Sequence, residues 1–143
     1  MNYFAHGMRF LQRPYFLAGT AVPDWLSVVD RRVRMRSRYV LPHADGSGTH
    51  QAEVAAGTQQ HLDDDRRFHR CQAFVEISSE LSSAFRDMLP GNARFRPAFL
   101  GHVVTELVLD RILILEDPVQ LDRYYEVLQQ VDPWEVQVAV NRM

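Results

Sequence analysis

Gly57-Thr58-Gln59-Gln60-His61-Leu62-Asp63-Asp64-Asp65-Arg66-Arg67-Phe68-His69 is the stretch that decides how this chain is read. His61, Asp65 and His69 recur every four residues. On an α-helix that spacing puts the three side chains on one face, neighbours about 5–6 Å apart at Cβ. Gly57 costs such a helix about 1 kcal/mol against Ala. A helix keeps a glycine there most readily where another backbone or a ligand must come close. A second row with the same spacing, His102-x3-Glu106-x3-Asp110, lies near the other end of the chain. Two helices that each carry such a row predict a site between packed helices.

Working outward, the central helix is expected from Thr49 or His50 to about Phe74, with Ala52, Val54, Ala55, Ala56, Leu62, Phe68 and Cys71 as packing surface. Ser78 to Leu89 reads as a further helix, closed by Pro90-Gly91-Asn92. Phe99 to Glu116 is too long and too apolar for an ordinary strand and is read as a buried helix. Asp117-Pro118 and Asp132-Pro133 each set an acidic cap before a proline at the first helical position, predicting two more helices. The first of these carries Leu121, Tyr124, Tyr125, Leu128 and Val131 as its stripe.

Toward the N-terminus, residues 2–12 are expected to form a short helix that Arg13-Pro14 ends, because a residue before proline is pushed away from helical angles. Tyr15 to Val22 is apolar. Pro23-Asp24-Trp25 is read as a new start, with Asp24 near a helix N-terminus. Trp25 to Val40 then follows a helical pattern that carries Arg31, Arg32, Arg34, Arg36 and Arg38. These are either a solvated charged face or a landing patch for phosphate or an acidic partner. Pro42 to Thr49 is the clearest loop. With no internal repeat and no hairpin signal, the chain reads as all-α, one helical domain over residues 1–143.

Composition narrows the function classes. The chain has 46% hydrophobic and 24% charged residues, the balance of a globular protein. A net charge of −2 argues against a general nucleic-acid binder. All sixteen basic residues are arginine. The single cysteine, Cys71, rules out an intramolecular disulfide framework and is expected as buried packing or a nearby thiol ligand. Met1 to His6 lacks the basic start and unbroken apolar core of a signal peptide. No apolar run approaches the roughly 20 residues of a membrane span, so a cytoplasmic protein without membrane attachment is expected.

His and carboxylate side chains projecting from facing helices suit Mn, Fe or Zn. The candidates are His6, Asp24, His61, Asp65, His69, His102, Glu106 and Asp110. The pairs His61/Asp65 and His102/Glu106 stand out, the second because it interrupts an apolar helix, where a lone buried charge costs several kcal/mol. Each also has a plainer reading: His6 as packing, Asp24 as a helix cap, Asp63 and Asp64 as solvated face, Asp110 as a salt-bridge partner of Arg111 or another arginine.

Asn2-Tyr3-Phe4-Ala5-His6, then Gly19…Asp24, then Gly57-x3-His61-x3-Asp65, resemble the acyl carrier protein phosphodiesterase family, a divergent branch of the HD-domain metal-dependent phosphohydrolases. The resemblance covers roughly the first half of the chain. It implies an HD-domain-like helical bundle, a divalent metal, and hydrolysis of a phosphodiester by metal-activated water. Carried over by position, it makes Asp24, His61 and Asp65 catalytic and metal-binding, with His6 beside them. It also places the arginine run where an acidic carrier protein would dock. The chain departs from the family where Phe68-His69 replaces Thr-Asp and where His102-x3-Glu106 stands in place of a Trp-Asp-His motif.

Two expectations follow. The first is a metal-dependent phosphoester hydrolase whose ligands His61 and Asp65 face His102 and Glu106 across a helix interface, with Asp24 binding metal or orienting water and His6 or His69 close by. The second is a non-catalytic helical protein, with a structural metal site or buried polar network, that could serve as a dimerising interaction module.

Overall fold

A computed structural model describes residues 1–89 and 96–143. Among them every regular element is helical, so the all-α reading holds. In chain order these are α1 (Tyr3–Gly7), α2 (Pro14–Val29), α3 (Ser37–Val40), a 3-10 turn (Leu41–His43), α4 (His50–Phe68), α5 (Gln72–Met88), α6 (Pro97–Glu116), α7 (Pro118–Leu128) and α8 (Pro133–Arg142). Proline opens α2, α6, α7 and α8, where its missing N–H is not needed. Thr49 caps α4 by accepting from Ala52 N, and Asp132 caps α8 by accepting from Trp134 N. Asp117 stands at the α7 cap position, but its side chain accepts no bond there.

The centre of the fold is the crossing of α2 over α4, the most extensive contact between two elements among the described residues. Gly19 and Gly57 meet at the crossing. A Cβ on Gly57 would overlap the Phe16 carbonyl and stand 3.0 Å from Gly19 Cα, and a Cβ on Gly19 would overlap the Val54 carbonyl. The close approach expected at Gly57 is therefore made by another backbone. Around it Ala18, Val22 and Val54 pack with Val136 and Ala139 of α8. On the other side Phe4, Leu17 and Tyr124 join α1, α2 and α7.

Several expected boundaries shift. Pro23 does not restart a helix: α2 runs through it, leaving Asp24 inside a helix rather than at its N-terminus. Proline lacks the N–H that would bond the Gly19 carbonyl one turn back. The Thr58 hydroxyl of α4 takes that role, shared between Gly19 O at 3.2 Å and Val54 O at 2.9 Å. Tertiary contact thus replaces the lost helical bond. The helix expected to continue to Val40 ends at Val29, and residues 30–36 are irregular. The five arginines sit on and after this exposed segment, with Arg32 paired to Asp30, so they form no helical patch.

The first helix is only five residues long. The long central helix stops at Phe68 and the chain restarts at Gln72, with Cys71 exposed at the restart rather than buried. Pro90-Gly91-Asn92, the expected stop of the next helix, lies outside the described residues. Helix α6 is not buried as a whole. It packs along α5, where Gly101 meets Ser78 and Ser82, while Phe99 and Leu115 remain 62% and 63% exposed. Hydropathy alone could not supply a neighbour for its outer face. Among the described residues, no helix is long and apolar enough to cross a membrane.

Two substitutions test this account. Gly57→Ala is expected to lower the denaturant midpoint by an amount worth ~3 kcal/mol or more, since rigid backbone rather than a side chain opposes the new methyl. Thr58→Val should cost roughly 1–3 kcal/mol by leaving the Gly19 carbonyl buried and unbonded. Thr58→Ser, which keeps the hydroxyl, should cost no more than about 1 kcal/mol. Equal losses for the two Thr58 variants would show that the hydroxyl does not replace the missing proline bond.

Candidate metal centre

His61 lies one turn past the Gly57 crossing, and its ring is 3% exposed. Its Nδ1 is 2.7 Å from the Thr20 carbonyl of α2. A carbonyl only accepts, so Nδ1 carries a proton and Nε2 is the nitrogen left to face a ligand. Nε2 points toward carboxylates, 3.5 Å from Asp65 Oδ2 and 3.9 Å from Asp24 Oδ1. The backbone of α2 therefore fixes both the orientation and the tautomer of His61, the arrangement that prepares an imidazole to ligate a metal.

His6 of α1 stacks on His61, ring centroids 3.9 Å apart. It is 2% exposed, and neither of its ring nitrogens has a hydrogen-bond partner. Nε2 lies 3.2 Å from Asp65 Oδ1, and Nδ1 3.9 Å from Asp64 Oδ2. Burial pushes the His6 pKa down, against the pull of Asp65, which keeps the ring neutral and its lone pair available. Asp64 is thus half-buried beside His6 and also accepts from Gln60 at 2.8 Å, rather than being a fully solvated face. Asp63 behaves as expected, pairing with Arg66 at 2.8 Å.

Burial works to raise the Asp65 pKa, but His6, His61 and the Met1 amine outweigh it and hold the carboxyl well below the usual range. Burial also opposes ionisation of Glu106, where His69 and the Met1 amine win in the same way. Asp24 differs. Burial pushes its carboxyl up, and the nearby histidines only partly offset this. The Met1 amine donates to Asp65 Oδ1 at 2.8 Å and to Glu106 Oε1 at 3.0 Å, so it sits between the two carboxylates. Asp110, a candidate ligand or salt-bridge partner on sequence, accepts from Ala5 N at 3.1 Å and ties α1 to α6.

The expected foursome of His61, Asp65, His102 and Glu106 divides. His6, His61 and Asp65 form one group whose ligand atoms all lie within 4.8 Å of one another. His69, His102 and Glu106 form a second group by the same measure. Asp65 and Glu106 do face each other across the helices, through Met1, while His61 and His102 belong to different groups. One cavity of about 300 Å³ is lined by Asp24, Asp65, His69, His102 and Glu106 together with Met1, Asn2, Tyr3 and Ser27, while His6 lines a neighbouring cavity with Arg9, Gln60 and Asp64. A different cavity of about 380 Å³, between Trp25, Leu128, Val131, Val136 and Val140, has no ionisable lining residue and offers no hydrolytic chemistry.

Spacing identified four of the groups that line the cavity, Asp65, His69, His102 and Glu106, but not how they assort. The Thr20 carbonyl was invisible to it, since only the crossing brings that atom to His61. The nearest signal in the sequence was Gly19 placed four residues before Pro23, which marks a helix with a released carbonyl at a close contact.

The tautomer can be read directly. In a long-range ¹H–¹⁵N spectrum of the metal-free protein at neutral or higher pH, His61 should show a protonated Nδ1 and an unprotonated Nε2. The opposite pattern would mean that the Thr20 carbonyl does not orient the ring.

Comparison with protein-family models, with curated proteins and with solved structures finds no match for this chain.

Proposed function

We propose that this protein is a divalent-metal-dependent hydrolase of phosphoesters, with His6, His61 and Asp65 holding the ion and Asp24 beside them. One observation carries the reading. A buried imidazole, His6, has an Nδ1 without a hydrogen-bond partner and an Nε2 against Asp65, and is stacked on a second imidazole whose Nε2 faces the same carboxylate. Burying polar atoms without partners costs free energy that a coordinated ion would recover. Two histidines and one carboxylate also form a donor set that catalytic zinc and non-haem iron sites use, so Mn, Fe or Zn fits the residues present. Bound there, such an ion lowers the pKa of a coordinated water and offsets charge on phosphoryl oxygens.

The chain's own groups divide the remaining work. The Thr20 carbonyl holds His61 with Nε2 turned inward. Asp24, whose carboxyl burial has pushed up, is placed to accept a proton at Oδ1 and to return it to a leaving oxygen. None of the cavity-lining residues is an arginine. The exposed arginines from Arg31 to Arg38 would serve an acidic carrier protein or a phosphorylated partner outside the cavity. This reading agrees with the resemblance to the acyl carrier protein phosphodiesterases and their HD-domain relatives. The rival, a non-catalytic helical protein with a structural metal site or polar network, draws support from the Met1 amine, which already neutralises Asp65 and Glu106.

Hydrolysis of bis(4-nitrophenyl) phosphate separates the two. The expected result is turnover that a chelator abolishes and added Mn or Zn restores. Asp24→Asn should retain metal but lose roughly 10²- to 10⁴-fold in rate, the usual worth of a positioned acid–base group. Stoichiometric metal without turnover on any phosphoester would favour the structural rival.

A further inference from the structure

The second triad is built as carefully as the first. His69 ends α4, while His102 and Glu106 lie one turn apart on α6. His69 Nε2 is 3.0 Å and His102 Nε2 3.1 Å from the same atom, Glu106 Oε1. The two imidazole rings are 4.7 Å apart, and Phe74 packs against both, its ring centroid 4.9 Å from His69 and 5.1 Å from His102. Phe74 itself is 7% exposed, which makes it a fixed wall behind the two rings. Three ligand atoms from two helices thus converge on one point, at the edge of the cavity that also contains Asp24 and Asp65. Because one nitrogen, that of Met1, bonds both Asp65 and Glu106, the two carboxylates are no further apart than two hydrogen bonds laid end to end.

We infer that His69, His102 and Glu106 form a second divalent-metal site, separate from His6, His61 and Asp65, and that the cavity is a two-metal centre with Asp65 and Glu106 at its middle. The donor set of two imidazoles and one carboxylate is again one that binds Zn, Fe or Mn with positions left open. The consequence for substrate class rests on the hydrolase reading above. Paired ions clamp both the attacking and the leaving oxygen of a phosphoryl group. In a cavity whose lining includes no arginine, they would supply the positive charge that a phosphate ester requires. The existence of the second site does not depend on that reading, because it uses none of the first site's residues.

The experiment is a titration of chelator-treated full-length chain with Co²⁺, followed by d–d absorption and by calorimetry. The expected result is two equivalents for the wild type. His102→Ala and Glu106→Gln should each bind one equivalent, His61→Ala should bind one, and the His61→Ala/His102→Ala pair none. His102 is 41% exposed at its side chain, so its replacement should leave the thermal unfolding of the metal-free protein unchanged. One equivalent in the wild type that persists in His102→Ala and Glu106→Gln would overturn the second site. So would one equivalent lost in both His61→Ala and His102→Ala, since that describes a single shared site. One equivalent kept by His61→Ala but lost in His102→Ala would uphold the second site while removing the first, and with it the hydrolase assignment built on His6 and His61.

Discussion

Everything near the cavity depends on two backbones touching. Gly19 and Gly57 let α2 and α4 approach until only Cα atoms and carbonyls separate them. At an ordinary interaxial distance of 8–10 Å, set by intervening side chains, the Thr20 carbonyl would stand too far from His61 to orient it. The contact also brings Thr58 to the carbonyl that Pro23 releases. One geometric constraint therefore completes the hydrogen bonding of a proline-containing helix and aims a histidine.

The remaining parts attach to this crossing. Helix α8 closes the apolar side through Val136 and Ala139, and α7 closes the other through Tyr124. Burial pushes the Tyr124 hydroxyl well above its ordinary pKa, so it stays protonated within the packing around Phe4 and Leu17. Helix α1 is short, but Asp110 holds its backbone and thereby places His6 over His61. Polar and apolar roles are segregated: the mainly apolar cavity and the acidic one lie on different residues and share no lining side chain.

Helical class, the proline starts of α7 and α8, the Asp132 cap and the need for close contact at Gly57 were legible in the sequence, because each depends on residues within a turn or two. Pro23 misled for the same reason. Its local rule predicts a break, and the donor that cancels the break comes from another helix. Helix α6 misled differently, since hydropathy records what is apolar but not which neighbour covers it. The candidate site was half legible. Four-residue spacing found His61, Asp65, His102 and Glu106, but spacing within a helix cannot say which rows share a centre. That assortment depends on where α1 lies and on His69 at the end of α4.

Pro23 has a bearing on how the molecule comes to be folded at all. In isolation α2 would have an unpaired carbonyl at Gly19, and nothing local would favour continuing the helix past the proline. Its second half, which carries Asp24, is tied to α4 through the bond that Thr58 donates to that carbonyl. The cavity's acid and the protein's core are then acquired in one cooperative step, so partial unfolding of this helix pair should not leave the site assembled.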